Sequence, residues 1–329
     1  MNKTIFQKIS VVAAVAIIIT PLFSCHPDGP EDFIDYVYDA GNMGGGNQNT
    51  NNWSYPTSKP QELWAGSGSS YDPYIIKTAQ DLANLAYMVN NSNSYEYTYF
   101  KLDRSIDLNY GISVNEYSSN AKEWTSIGNE YPFKGKFNGN GYTIDGLYKN
   151  SLFGYIYEGS VEDLTMGTGY IYTNSNYTGS IASYIYNTTI YNCTNNGTAI
   201  SSSSYGGYVG GLVGRMENSK ISSSYNYVTV SSTNGAAGGI VGYMSDSSSI
   251  SNSYNYATVS SSSYGYAGGI AGIMYNSSIS YSYNYSDISS TYGTAGGIVG
   301  YADHNSYCSG CYNYGYVSGS TTDGIIGNR

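Results

Sequence analysis

A glycine-flanked apolar phrase returns five times between residues 210 and 327 and constrains the fold more than any other feature. Its copies are Gly210-Gly-Leu-Val-Gly214, Gly238-Gly-Ile-Val-Gly242, Gly268-Gly-Ile-Ala-Gly272, Gly296-Gly-Ile-Val-Gly300 and Asp323-Gly-Ile-Ile-Gly327. They follow one another at steps of 27 to 30 residues, a period typical of solenoid proteins. The pattern therefore predicts stacked copies of one structural unit.

A second phrase repeats with the same period, 29 residues each time. It reads Ile221-Ser-Ser-Ser-Tyr-Asn-Tyr227, Ile250-Ser-Asn-Ser-Tyr-Asn-Tyr256, Ile279-Ser-Tyr-Ser-Tyr-Asn-Tyr285 and Cys308-Ser-Gly-Cys-Tyr-Asn-Tyr314. Each unit contains three short runs typical of β-strands, for example 212–216, 221–225 and 227–230. Stacking such units pairs equivalent strands in parallel and turns each position into a column. We therefore predict an all-β, right-handed parallel β-helix with about 28–30 residues per coil.

Three apolar columns can be assigned from the alignment of the repeats. They are Ile181, Leu212, Ile240, Ile270, Ile298 and Ile325; Ile190, Ile221, Ile250, Ile279 and Cys308; and Val230, Val259, Ile288 and Val317. Asparagines occupy one shared position and predict a ladder of stacked side-chain amides: Asn195, Asn226, Asn255, Asn284 and Asn313. Glycines of the first phrase are expected where the backbone needs φ > 0 or approaches another backbone closely: Gly211, Gly214, Gly239, Gly242, Gly269, Gly272, Gly297, Gly300, Gly324 and Gly327.

The phrase Gly211-Leu-Val-Gly214 resembles the motif of the GLUG-motif proteins, which are common among surface proteins of gut Bacteroidota. The resemblance extends upstream to Trp64-Ala-Gly-Ser-Gly68, Trp124-Thr-Ser-Ile-Gly128 and Phe137-Asn-Gly-Asn-Gly-Tyr-Thr-Ile144, and covers residues 62–329. It implies a β-helix of a surface lipoprotein. It says little about the ligand, because a fold does not fix a function.

The N-terminus has the pattern of a secretion signal over residues 1–24, with Lys3 and Lys8 before an apolar run. Leu22-Phe-Ser-Cys25 resembles a lipobox, which implies lipidation of Cys25; a membrane anchor or plain secretion is the alternative. Acidic residues just after Cys25 resemble the surface-export signal of Bacteroidota lipoproteins, although they also fit a solvated linker. We expect an exported chain that is lipid-anchored to the outer membrane and faces the cell exterior.

Four segments follow from these patterns: a signal peptide (1–24), an acidic and Gly/Asn-rich tether (25–61), an N-terminal cap with irregular first coils (62–150) and regular repeats (151–329). Thr78 and Asp81 predict the start of a capping helix with Leu82, Leu85, Ala86 and Val89 on one face. At the C-terminal end of the repeats, either the last coil frays or a partner adds a strand to it. The formal net charge of −10 excludes nucleic acid as a natural partner.

Groups that could support catalysis or metal binding are sparse. Cys308-Ser-Gly-Cys311 has the spacing of a redox or metal pair, but the register of the repeats favours core substitutions and free buried thiols, as for Cys193. Acidic residues of the regular coils fall at different positions of the repeat, so no acid/base pair can be assembled there. We expect no catalytic residue, no metal and no cofactor.

Tyrosine is the residue in excess, with 41 in 329. Stacked coils would convert pairs around the asparagines into rows: Tyr225 and Tyr227, Tyr254 and Tyr256, Tyr283 and Tyr285, Tyr312 and Tyr314. Rigid amphipathic rings suit contact with a glycan or a protein, so these eight are the candidate ligand-binding residues. The alternative is that the rows only stabilise the coils by cross-strand stacking.

These patterns lead to a predicted function as a non-enzymatic, adhesin-like surface lipoprotein that binds a glycan or protein, or serves as a structural module. The alternative is a β-helix polysaccharide lyase or glycoside hydrolase with its site in the irregular coils of residues 62–160, an assignment that rests on architecture alone.

Overall fold

The structure is a computed structural model that describes residues 53–61 and 64–327 of the chain. The predicted signal peptide, Cys25 and the tether up to residue 52 lie outside the described residues. Within the described ranges, no helix is both long and apolar enough to cross a membrane.

The described chain winds into a parallel β-solenoid with four sheets, and its longest regular sheet has nine strands, one per coil. Sheet 1 consists of Tyr74–Ile76, Tyr99–Leu102, Lys136–Asn138, Ser160–Glu162, Thr189–Tyr191, Lys220–Ser222, Ser249–Ser251, Ser278–Ser280 and Tyr307–Ser309. Sheet 2 consists of Ile106–Asp107, Thr143–Asp145, Thr165–Met166, Thr194–Asn195, Tyr225–Asn226, Tyr254–Asn255, Tyr283–Asn284 and Tyr312–Asn313.

The other two sheets complete each coil. Sheet 3 consists of Leu147–Tyr148, Gly169–Thr173, Tyr177–Thr178, Thr198–Gly210, Val230–Gly238, Val259–Ser261, Tyr266–Gly268, Ile288–Ser290, Thr294–Gly296, Val317–Ser318 and Thr321–Asp323. Sheet 4 consists of Phe153–Tyr157, Ala182–Tyr186, Val213–Glu217, Val241–Ser245, Ala271–Met274 and Val299–Ala302. A regular coil passes through sheets 4, 1, 2 and 3 in that order.

The regular coil therefore has four strands rather than the three that the sequence predicts. The run predicted at 221–225 is divided because Ser223 adopts a left-handed φ of 52°. Left-handed residues occupy this corner between sheets 1 and 2 in successive coils, with φ between 47° and 63°: Asp163, Asn192, Ser223, Asn252, Tyr281 and Gly310. A left-handed residue turns the chain sharply, so the two-residue strands of sheet 2 begin directly after each corner.

The predicted apolar columns are confirmed by the strand registers. Ile221 pairs with Ile250, Ile250 with Ile279, and Ile279 with Cys308 in sheet 1. The Val230 column stacks in the same way, and in the Leu212 column the Leu212 backbone N–H donates to the Ile240 carbonyl oxygen of the next coil. Leu212, Ile240, Ile270 and Ile298 are fully buried. The columns through Leu212 and Ile221 belong to one core cluster, and the Val230 column belongs to a second, smaller one. In both clusters each coil covers the one before it.

One helix, α1 (Ala79–Asn90), lies at the start of the solenoid. Its N-cap is Thr78, which forms the predicted reciprocal capping box with Asp81. Leu82, Leu85, Ala86 and Val89 are fully buried and belong to the same apolar cluster as the solenoid core. The helix therefore covers the first coil, which would otherwise expose its core.

Trp53 extends this cap towards the N-terminus. It is buried against Trp124 in an edge-to-face contact at 5.6 Å, and its Nε1 donates to the Leu108 carbonyl oxygen at 2.7 Å. The packed part of the chain therefore includes residues that precede the predicted domain boundary at residue 62. A buried tryptophan with a satisfied N–H is a strong anchor, which explains why this segment packs on the cap.

Candidate functional site

The eight predicted tyrosines form two rows along sheet 2 and the corner that follows it. The first tyrosine row is Tyr225, Tyr254, Tyr283 and Tyr312, and the second tyrosine row is Tyr227, Tyr256, Tyr285 and Tyr314. In every coil the asparagine between the two tyrosines points into the core. Because side chains alternate along a strand, the two tyrosines that flank it point outwards.

The predicted asparagine ladder lies on the core side of these rows. Each Nδ2 donates to the Oδ1 of the next asparagine, at 3.1 Å from Asn195, 2.8 Å from Asn226, 2.7 Å from Asn255 and 2.7 Å from Asn284. The same Nδ2 groups also donate to backbone carbonyl oxygens of the following turn, such as that of Ala257. Each buried amide is therefore satisfied both along the solenoid and within its own coil.

The second tyrosine row is the more regular of the two. Its neighbouring ring centroids are 4.8, 4.8 and 5.0 Å apart, with interplanar angles of 5°, 2° and 10°. In the first row the angle grows from 11° between Tyr225 and Tyr254 to 56° between Tyr254 and Tyr283. Parallel stacking covers ring faces inside the second row. A ligand would therefore meet chiefly the ring edges and phenol oxygens of this row.

Three of these phenols have a raised pKa: Tyr254, Tyr256 and Tyr285. The pKa of Tyr256 lies well above its ordinary value because of partial burial, with added repulsion from the phenols of Tyr227 and Tyr285. Burial and neighbouring tyrosines raise the pKa of Tyr254 and of Tyr285 in the same direction. A neutral phenol can both donate and accept a hydrogen bond. Half of the Tyr227 side chain and two thirds of the Tyr314 side chain remain exposed, at 47% and 65%.

A second aromatic surface covers the outside of sheet 4 and the adjoining edge of sheet 3, and the sequence analysis did not assign it. This sheet-4 tyrosine cluster comprises Tyr155, Tyr157, Tyr177, Tyr184, Tyr186, Tyr208, Tyr243, Tyr266, Tyr275 and Tyr301. All ten side chains are half-buried. A sequence signal existed. A tyrosine follows the first phrase at Tyr243 and Tyr301, and it follows the shorter, divergent copies Leu152-Phe-Gly154 and Ile181-Ala-Ser183 at Tyr155 and Tyr184.

Arg215 occupies the centre of this cluster, in register between Tyr184 and Tyr243. Its guanidinium lies 5.3, 5.6 and 5.1 Å from the ring centroids of Tyr177, Tyr184 and Tyr243. It also forms an ion pair with Glu217 and donates to the Tyr177 phenol oxygen at 2.8 Å. The positive charge is thus neutralised and held by cation–π contacts, which suits a stabilising role on this face.

Nine of the ten glycines assigned from the first phrase are explained by close approach to neighbouring atoms and not by a left-handed backbone; Gly324 has no atom within 4 Å of its Cβ position. None of these ten has a positive φ. A Cβ added at Gly239 would lie 2.1 Å from the Gly269 carbonyl oxygen and 2.4 Å from the Asn255 side-chain carbon Cγ. Gly211, Gly269 and Gly297 meet Asn226, Asn284 and Asn313 in the same way. The asparagine side chains therefore occupy the space that a Cβ at these glycines would need.

The irregular coils contain one pair of stacked carboxylates, Asp107 and Asp145, at matched positions of sheet 2. Asp107 Oδ1 accepts from the Asn109 backbone N–H at 2.8 Å, and Asp145 Oδ1 accepts from that of Thr168 at 2.9 Å. Burial raises the pKa of Asp107, with a smaller contribution from Asp145. Both groups therefore cap turns, which is a structural use of a carboxylate.

A shallow depression of about 410 Å³ adjoins this pair, lined by Gly111, Ile112, Ser113, Val114, Thr168, Gly169 and Gly197. Its lining residues carry no ionisable side chain. Among the residues that the structure describes, no group of three or more His, Cys, Asp or Glu side chains is placed to hold a metal ion.

Comparison with known proteins identifies the fold. No protein-family model matches the chain. No curated protein matches it either. The crystal structure of a Bacteroides ovatus protein with the provisional name immunoglobulin A1 protease is similar at a TM-score of 0.60 and 20% identity, over 79% of this chain and 86% of that one. A chain named IgA1 protease is similar at a TM-score of 0.55 and 21% identity, over 75% of this chain and 20% of that one.

These names contradict the prediction that the protein is not an enzyme. That prediction rested on the lack of matched acid/base pairs in the repeats, yet the same solenoid occurs in chains that are named proteases. At 20–21% identity the likeness establishes the fold. The chain is thus a parallel β-solenoid of the architecture found in proteins named as immunoglobulin A1 proteases.

Proposed function

We propose that this chain is an exported, lipid-anchored surface protein whose solenoid binds an extracellular protein or glycan along the two tyrosine rows. One observation carries the proposal: eight outward tyrosines are held in register by an internal asparagine ladder, at spacings of about 5 Å. Preorganised rings lose little conformational entropy when they bind, and tyrosine is enriched in binding hot spots.

The stacking geometry determines which tyrosine atoms a ligand can contact. Because ring faces inside the second tyrosine row are covered by neighbouring rings, binding depends on phenol oxygens and ring edges. These groups suit a polar, extended ligand, such as a glycan chain or a peptide backbone, that can follow the row along several coils. The acidic net charge of the chain disfavours strongly anionic ligands.

A binding screen tests this proposal. The chain would be assayed against immobilised glycans and against immunoglobulin A1, which the names of the two similar structures make the first protein to try. We expect saturable binding that is weakened at least tenfold by alanine at Tyr256 and Tyr285 together. Alanine at Tyr264 and Tyr292, exposed tyrosines on another side of the coil, is the matched control. Equal binding by both variants would show that the rows are not the binding surface.

A second candidate function is cleavage of immunoglobulin A1, which the names of the similar structures favour. Incubation of the chain with immunoglobulin A1, followed by gel electrophoresis and mass spectrometry of the fragments, distinguishes the two candidates. Discrete fragments that appear in proportion to enzyme and time would establish cleavage. Binding without fragments would favour a binding module.

A further inference from the structure

Two cysteines lie three positions apart in the last described coil, at its corner between sheets 1 and 2. Cys308 pairs in register with Ile279, and Cys311 immediately precedes the strand Tyr312–Asn313. Gly310 lies between them with φ 63°, the left-handed conformation found at this corner in the preceding coils. The corner therefore turns the chain sharply between the two residues and brings their side chains to the same end of the core.

The positions of the sulfur atoms are defined by their contacts. Cys311 Sγ lies 3.5 Å from the Ile279 carbonyl oxygen and 3.6 Å from that of Ser309. The thiols of Cys308 and Cys311 are also hydrogen-bonded to each other. Both side chains are half-buried, because no described coil covers this one. The pair is therefore in mutual contact and accessible to a small reagent.

Cys193 provides an internal comparison at the same position of an earlier coil. Its Sγ lies 3.3 Å from the Tyr191 carbonyl oxygen, the equivalent of the Ser309 contact. The residue three positions before it is Ile190, so it has no neighbouring thiol in its own corner. Burial is complete at Cys193 and raises the pKa of its thiol to about 12. Cys193 is therefore inert towards reagents in solution.

The chemistry of Cys311 differs from that of Cys193. The hydrogen bond from Cys308 lowers the pKa of the Cys311 thiol to about 7, although partial burial opposes the change. The thiolate is the nucleophile of thiol–disulfide exchange, and exchange is fastest when the pKa of the attacking thiol is close to the ambient pH. The lowered pKa favours Cys311 as the attacking residue of the pair.

We propose that Cys308 and Cys311 are a redox-active dithiol that closes into an intramolecular disulfide across the last corner. The Cys311 thiolate attacks one sulfur of an external low-molecular-weight disulfide, forms a mixed disulfide and releases one thiolate. Cys308 then loses its proton to solvent, attacks the Cys311 sulfur and expels the second thiolate. The dithiol loses two electrons and two protons, and the external disulfide gains them as two thiols. The bond links sheet 1 to sheet 2 in the coil that has least packing around it.

The test uses the full chain in glutathione redox buffers, followed by acid quenching, alkylation under denaturing conditions and peptide mapping by mass spectrometry. We expect the peptide that contains Cys308 and Cys311 to lose the mass of two hydrogen atoms and to escape alkylation, while Cys193 in the same sample is alkylated. In Cys308→Ser, Cys311 should remain as a stable mixed disulfide with glutathione.

Three outcomes would overturn the proposal. The first is that both thiols of the wild-type chain remain unreacted. The second is that each cysteine carries its own glutathione and no internal disulfide forms. The third is a disulfide between two chains. The wild-type result decides the question even if a variant does not fold. Because the assay involves no tyrosine and no ligand, its result is independent of the proposed binding function.

Discussion

Asn226 Nδ2 donates a hydrogen bond to Asn255 Oδ1 at 2.8 Å, across two successive coils. The tyrosines on either side of each asparagine also repeat once per coil on the outer surface, with ring centroids 5.2 and 4.8 Å apart. The buried amide ladder and the exposed tyrosine rows are therefore two sides of the same strands, and the parallel pairing of those strands gives both the same repeat.

Alanine at Asn255 should destabilise the solenoid. The change removes the acceptor of Asn226, the donor to Asn284 and the donor to the Ala257 carbonyl oxygen. Leaving buried polar groups unsatisfied costs about 1–3 kcal/mol for each group, so we expect a loss of about 2–5 kcal/mol in unfolding free energy from urea denaturation. Asn313→Ala, at the half-buried last rung, should cost less than half as much; equal losses would contradict a role for the ladder.

Two copies of the first phrase provide a matched pair of glycine substitutions. Gly239→Ala would place a Cβ 2.1 Å from the Gly269 carbonyl oxygen. It should lower the melting temperature markedly, because the clash can be relieved only by moving the paired backbone of the next coil. Gly324→Ala changes the same position of the phrase, where nothing lies within 4 Å. We expect its melting temperature to match the wild type. A similar fall in both variants would mean that the close approach to the neighbouring coil is not what requires glycine.

Much of the fold could be predicted because residues with equivalent roles recur at a constant interval. Ile221 and Ile250 align without any knowledge of the structure, and the amide column follows from the same alignment. The division of each coil into four strands could not be predicted as readily. Ser223 carries the left-handed corner that Asn252 marks in the next coil, and serine gives a weak signal for this conformation.

Periodicity also explains why the sequence indicated the two tyrosine rows but not the sheet-4 tyrosine cluster. Tyr225 and Tyr254 belong to an uninterrupted repeat, so their row was evident. The sheet-4 tyrosine cluster is interrupted by Arg215 and Ile273, and it combines residues from two sheets whose spacing varies between coils. Trp53 lies in a segment rich in asparagine and glycine, and only the fold brings it to Trp124. Contacts between non-equivalent positions have no periodic signature.

Removal of the Glu217 charge should destabilise the sheet-4 tyrosine cluster. Glu217 pairs with the half-buried Arg215 and accepts from the Tyr184 phenol at 2.7 Å. Glu217→Gln should cost about 1–3 kcal/mol of unfolding free energy, because a partly buried cation loses its counter-charge. Glu123→Gln breaks an exposed pair with Lys149 and should cost about 0.5 kcal/mol or less. A larger loss of stability in Glu123→Gln than in Glu217→Gln would contradict the stabilising role assigned to Arg215.

Stability should fall at alkaline pH. Burial and the neighbouring Tyr301 raise the pKa of Tyr275 to about 12, above the ordinary 10.0. Above pH 10 the unfolded chain releases phenolic protons that the folded chain retains. The free energy of unfolding is therefore constant below about pH 10 and falls as pH rises from there to the folded pKa of about 12. Urea midpoints should decline between about pH 10 and pH 12, and less steeply in Tyr275→Phe. An identical decline in the variant would contradict the assignment to this residue.

The dissociation constant of a hydroxyl-deletion variant tests the central claim most directly. Phenylalanine at Tyr256, Tyr285 and Tyr314 preserves the stacked rings and removes only the oxygens, and phenylalanine at Tyr205, Tyr264 and Tyr292 removes three exposed oxygens elsewhere. With the ligand identified by the screen, we predict that the first variant raises the dissociation constant at least tenfold, about 1.4 kcal/mol or more, at unchanged melting temperature. The second should bind like the wild type. Unchanged binding by the first variant would contradict the claim that the second tyrosine row contacts the ligand through its hydroxyl groups.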